Sequence, residues 1–179
     1  MQHLKTFSSS EITIVNNVVS MAEELVSNHF KMSASEWLRP KYDVKTLVDL
    51  APEEIVNGPF AQIVRYEGHR TDTRFGSGVF DYYKICLQDH AIQATLKRAA
   101  HLKLFPFCLY IITHELIHIV RFSKFLQSFD ASPGEKLSEE RRVHENTHQL
   151  LHPVQVSGML EVLEFYRKWR QPLEGMRNC

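Results

Sequence analysis

The segment "IITHELIHIV", residues 111 to 120, sets the tightest constraint on how this chain can fold. It places His114, Glu115 and His118 among Ile, Leu and Val. Imidazoles and carboxylates are costly to bury in apolar surroundings unless partners satisfy them. The fold must therefore supply either a bound metal or ordinary hydrogen-bond partners at this point. On a helix, His114 and His118 stand at i and i+4 on one face, so two ring nitrogens can reach a single ion. Zn2+ accepts neutral imidazole and prefers tetrahedral coordination. Glu115 points round the helix from the first histidine, where it can act as general base on a water that the metal has made acidic. The pattern H-E-x-x-H thus supplies two metal ligands and a base from little more than one helical turn.

The rest of the chain reads as one α+β unit of 179 residues, with an N-terminal helical part over 1–58 and a sheet with metal-site helices over 59–179. After the serines of "SSSEIT", apolar residues recur at Ile14, Val15, Val18, Val19, Ala22, Leu25 and Val26, which predicts an amphipathic helix over 10–30. Short helices are expected at 44–50 and 51–58, the second between Pro52 and Gly58. Residues 61–67 and 79–88 are rich in β-branched and aromatic types and read as strands, joined by a turn-rich link over 68–78. A helix follows at 90–101. A long helix should run from about Pro106 to Phe129, carrying Phe122, Phe125, Leu126 and Phe129 on one face. "DASPGEK" (130–136) reads as a break, and a further helix is expected over 137–152 with Ser138 as N-cap. Pro153 ends it, and 156–169 forms the last helix. The strand at 79–88 is expected to flank the cleft as an exposed edge able to pair with an extended peptide.

Charge and cysteine content narrow the function classes. Lysine plus arginine equals aspartate plus glutamate, 21 each, which gives no sign of a nucleic-acid partner. Cys86, Cys108 and Cys179 are far apart and odd in number, so no disulfide framework is expected and a reducing compartment fits. The first residues lack the apolar core of a signal peptide, and the longest apolar run, 104–112, is too short to span a bilayer. A cytoplasmic protein without a membrane partner is the expectation.

"HELIH" resembles the catalytic helix of the zincin metallopeptidases, and the order small sheet, active-site helix, second ligand-bearing helix is similar to theirs over roughly residues 61 to 152. The metzincin branch departs from this chain, which has Arg121 and Lys124 where that branch needs a glycine and a third histidine. The gluzincin branch is closer, and resemblance to it implies a glutamate ligand from a later helix, a place Glu140 fills. The resemblance implies a zinc-dependent hydrolase acting on a peptide or protein, with His114 and His118 as ligands and Glu115 as base.

The third ligand is left open between Glu140 and His144. Glu140, His144 and His148 share one face of the later helix, with Val143, Thr147 and Leu150 packed inward beside it. If the active-site helix reaches Phe129 it rises about 16 Å beyond His118, and a helix returning from Ser138 meets that level near His144 or His148. If it ends sooner, Glu140 is level instead. One of the pair would bind the metal, and the other would be a fourth ligand or would orient a ligand histidine. Glu139 reads as a solvated helix start, and His148 and His152 as rim residues. Tyr110, Tyr166 and Arg141 are candidates to stabilise an oxyanion, with nothing to choose between them.

Two other functions compete. A zincin-like shell can keep its metal for rigidity alone. A carboxylate-bridged di-iron protein would use two E-x-x-H pairs, Glu115 with His118 and Glu145 with His148, and a further glutamate such as Glu23 or Glu24. Only 26 residues separate His118 from Glu145, too few for the helix such bundles place between them.

Overall fold

The chain begins with a helix whose N-terminus is written in its sequence. Ser8 Oγ accepts from the Glu11 N–H at 3.3 Å and Glu11 Oε2 accepts from the Ser8 N–H at 2.7 Å, a reciprocal capping box that opens α1, Ser9–His29. Val15, Val18, Ala22 and Val26 form its buried stripe. Short α2 (Ala34–Trp37) follows, then β1 (Lys41–Lys45), β2 (Ala61–Arg70), β3 (Gly78–Leu87), α3 (Asp89–Arg98), α4 (Leu104–Ser123), α5 (Pro133–Leu151) and α6 (Met159–Phe165), with a 3-10 turn over Arg167–Arg170. The computed structural model describes residues 4–37, 41–70, 78–124 and 126–170. Most of the expected link over 68–78, together with Phe125 and Cys179, lies outside them.

The α+β class holds, with a three-stranded mixed sheet in the order β1-β3-β2. β3 runs antiparallel to β2, with Ala61 opposite Leu87, and parallel to β1, with Val44 opposite Ile85. Tyr83, Ile85 and Leu87 point from β3 into the main core, while Lys84 lies between them on the other face. α4 is buried almost all round, against α1 on one side, α5 on another and the sheet on a third. Among the described residues it is the one helix long and apolar enough to cross a bilayer, and most of it is covered by the rest of the protein.

Five expectations need correction. The helix expected at 44–50 is the end of β1 followed by a 3-10 turn over Leu47–Asp49, so the part expected to be helical gives a strand to the sheet. Pairing with β3 overrides local propensity there, and the Leu47 N–H is taken by Asp89 Oδ1 at 3.0 Å. β3 is the central strand, paired on both sides, so the free edge beside the cleft belongs to β2. α4 stops at Ser123, not Phe129, because the Leu126 N–H turns back onto the Arg121 carbonyl at 2.9 Å, a Schellman-type end. α5 starts at Pro133, with Ser132 and not Ser138 as its cap. Ser132 and Glu135 form a second capping box, and Pro133 sits where a missing N–H costs nothing. The last helix is also shorter than expected. It begins after Gly158, whose φ of 87° favours glycine and whose Cα side is closed by Pro106 and Lys103.

Candidate metal centre

α4 and α5 meet with His114, His118 and Glu140 face to face. His114 Nε2 lies 3.2 Å from His118 Nε2 and 2.8 Å from Glu140 Oε1. His118 Nε2 lies 3.1 Å from Glu140 Oε2. Among the described residues these are the side chains whose donor atoms gather closely enough to hold a metal ion. The early end of α4 explains the pairing: the chain returns before the longer climb expected of it, and Glu140 comes level with the histidines.

The donor set fits zinc. Two imidazole nitrogens and a carboxylate oxygen are its usual ligands, and bonds of 2.0–2.1 Å in a tetrahedron put neighbouring ligand atoms about 3.3 Å apart. The two ring nitrogens, 3.2 Å apart, lie close to that value, and Glu140 sets one oxygen against each ring, at 2.8 and 3.1 Å. Two ring nitrogens and two carboxylate oxygens so near one another repel unless positive charge sits among them, as a cation or as protons on the rings. Burial and the two ring nitrogens act on Glu140 in opposite senses, and the rings prevail, holding its carboxyl far below the usual carboxylate range. Burial pulls His118 down, but the Glu140 hydrogen bond and the charges of Glu115 and Glu140 outweigh it and raise its pKa. His118 Nδ1 faces Gln127 Oε1 at 3.0 Å, whereas His114 Nδ1 is buried with no hydrogen-bond partner.

His144 stands beside this group and not in it. Its Nδ1 is 2.7 Å from the Tyr110 hydroxyl, and its ring stacks on Trp169 at 4.8 Å. Its Nε2 lies 3.5 Å from Glu140 Oε1. A bare ring nitrogen facing a carboxylate would be repelled, so Nε2 carries the proton and Tyr110 donates to Nδ1. Burial together with the neighbouring His114 drives the His144 pKa down to about 3, so the ring is neutral. Its position suits an orienter of Glu140 better than a ligand.

Glu115 lines the same cleft, partly exposed, and no hydrogen bond to it forms among the described residues. Burial raises its carboxyl above the ordinary value, opposed by the nearby His114 and His118. The cleft has a volume of about 260 Å³. His114, Glu115, Glu140 and His144 form its polar end, and Phe60, Tyr110, Ile111, Tyr166 and Trp169 wall the remainder. Arg141 does not line it.

The second E-x-x-H pair does not join the first. Glu145 is exposed and accepts from Gln149 Nε2 at 3.2 Å, and Glu23 accepts from the Tyr42 hydroxyl. Sequence reasoning missed Arg121 and Glu139. Glu139 is buried, 8% exposed, and forms an ion pair with Arg121 on α4, so it is no solvated helix start. An arginine at the end of an apolar helix, with acids expected on the next one, was the available signal. Comparison with protein-family models, with curated proteins and with solved structures finds no match to this chain.

Proposed function

We propose that the protein is a zinc-dependent hydrolase of zincin-like design, most simply a peptidase. The observation that carries this reading is the convergence of His114, His118 and Glu140, with His114 and Glu140 lining one end of a cleft that Glu115 also lines. Zinc, when bound, polarises an amide carbonyl and lowers the pKa of water to near neutral. Three protein ligands suit a catalytic rather than a closed structural site.

The residues of the chain do the remainder. Glu115, with no hydrogen-bond partner among the described residues to compete for its oxygens, takes a proton from the attacking water and returns it to the leaving amine. Its raised pKa, caused by burial, makes it a stronger base than an exposed carboxylate. His144, clamped by Tyr110 and Trp169, keeps Glu140 turned toward the histidines. The aromatic wall of Phe60, Tyr166 and Trp169 suits a large apolar side chain beside the cleaved bond. The outer edge of β2, which has no strand partner among the described residues, starts at Ala61 in the cleft wall and suits an extended peptide. Buried, unpaired thiols at Cys86 and Cys108 accord with a reducing compartment, and the cytoplasm is the location we propose.

The test is zinc-loaded protein incubated with a mixed library of unstructured peptides, read by mass spectrometry and compared with Glu115→Gln. Cleavage by the wild type, lost in the variant while zinc is retained, supports the reading. Zinc bound without cleavage by either protein leaves a structural metal site and overturns the peptidase.

A further inference from the structure

We propose that Gln127 is a positioning residue for the metal ligand His118, and that Arg65 on β2 holds Gln127 in place. The proposal rests on the metal-centre reading above and goes beyond it, because neither residue is a ligand. Gln127 lies in the turn that follows α4, nine positions after His118, with its Oε1 3.0 Å from His118 Nδ1. An acceptor at that nitrogen fixes the proton on Nδ1, which leaves the lone pair on Nε2, the atom that faces His114 and Glu140. Among the described residues His114 has no such partner on its own Nδ1, so of the two ligand histidines His118 is the one tied this way.

A turn places a side chain well only if the turn itself is held. Two sets of contacts hold this one. From α4, the Arg121 carbonyl accepts the Leu126 N–H at 2.9 Å, while the Arg121 side chain pairs with Glu139 on α5. From the sheet, the Arg65 guanidinium lies 4.8 Å from the centre of the Phe129 ring and 3.7 Å from Asp130. Phe129 in turn packs on Phe122 of α4 at 5.3 Å. A cavity of about 360 Å³ lies against the turn, lined by residues 126–130 of the turn itself and by Arg65, Asp81, Tyr83 and Phe122. The turn therefore packs through Phe129 and borders open space on the side of this cavity. Freeing one tie gives it room to shift, and Gln127 with it.

The experiment measures zinc affinity by competition with a chromophoric chelator, for wild type, Gln127→Ala, Gln127→Glu, Arg65→Ala and the double variant Arg65→Ala/Gln127→Ala. Thermal unfolding of the zinc-free proteins serves as the control for folding. Loss of an outer partner of a ligand histidine costs roughly 10–100-fold in affinity, which is the expected result for Gln127→Ala. Gln127→Glu, which still accepts from Nδ1–H, keeps the wild-type affinity or improves it. Removing a cation held over an aromatic ring near the surface corresponds to about a two- to fivefold loss for Arg65→Ala. That loss should vanish in the Gln127→Ala background, because both act through one contact. Equal affinity in wild type, Gln127→Ala and Gln127→Glu overturns the role of Gln127. An Arg65→Ala loss of the same size in both backgrounds overturns the role of Arg65. A wild type that takes up no zinc at all overturns the metal centre itself, an outcome distinct from zinc binding that ignores Gln127.

Discussion

Glu54 and Glu140 are both carboxylates brought in from water, at opposite faces of the sheet and helix layers, and their partners differ in kind. Glu54 is 2% exposed. Its Oε1 accepts from Lys84 Nζ at 2.7 Å and from the Tyr66 hydroxyl, and its Oε2 from the Ala51 N–H at 2.9 Å. Those donors, led by Lys84, hold its carboxyl down at about 2. Both oxygens face groups whose protons are in no doubt, and three donors hold the carboxylate. Glu140 faces two imidazoles that compete with each other for protons, and four atoms that each offer a lone pair meet there, the two Nε2 nitrogens and both Glu140 oxygens. A finished polar network ties a fold together, whereas an unfinished one is where a ligand belongs. Glu115 adds to the contrast, since its pKa is raised by burial where that of Glu54 is lowered by partners.

The difference can be broken or sharpened by substitution. The largest effect is expected for His118→Ala, which should take the bound zinc from one per chain to none, as read by elemental analysis. Glu115→Gln should leave zinc in place and lower the rate of peptide cleavage by about 10²–10⁴, the usual worth of a general base. Glu54→Ala should do the reverse, leaving zinc affinity unchanged and lowering stability to denaturant by about 1–3 kcal/mol, because Lys84, Tyr66 and the Ala51 N–H lose their acceptor. A zinc defect in Glu54→Ala, with the fold intact, would erase the distinction between the two sites.

Acid gives the smallest and most graded effect. Glu54 has a folded pKa of about 2 against an ordinary value of 4.5, so the folded state favours its charged form. Its contribution to stability is complete above the ordinary value and fades as pH falls from there toward the folded pKa. Denaturant midpoints of the zinc-free protein should therefore fall through that window, and the part of the fall due to Glu54 should be absent in Glu54→Ala.

How far each site was legible follows from how local its signals are. H-E-x-x-H lies within one helix, so its geometry follows from the 3.6-residue repeat, and α1 was legible from its capping box and stripe. Glu140 could be narrowed but not chosen over His144, because the choice depends on where α4 ends. That end is set by Leu126 closing on the Arg121 carbonyl, with Arg121 also drawn to Glu139 across the chain. Similarly, "SPGE" looked like a break because Pro and Gly interrupt helices, yet Pro133 at the first helical position opens one. β1 was misread because Lys41–Lys45 becomes a strand only against β3, about forty residues later. The Glu54 network was not visible at all. Its members lie on three separate elements and no spacing links them.

The central claim is that a divalent cation completes the cluster of His114, His118 and Glu140. X-ray absorption at the zinc edge, on protein purified without chelator and then supplied with one equivalent of zinc, tests it most directly. The account predicts uptake of one zinc per chain, with a first shell of nitrogen and oxygen at about 2.0–2.1 Å and the outer-shell scattering of two imidazoles. Folded protein that takes up no zinc, or a shell without imidazole, would contradict it.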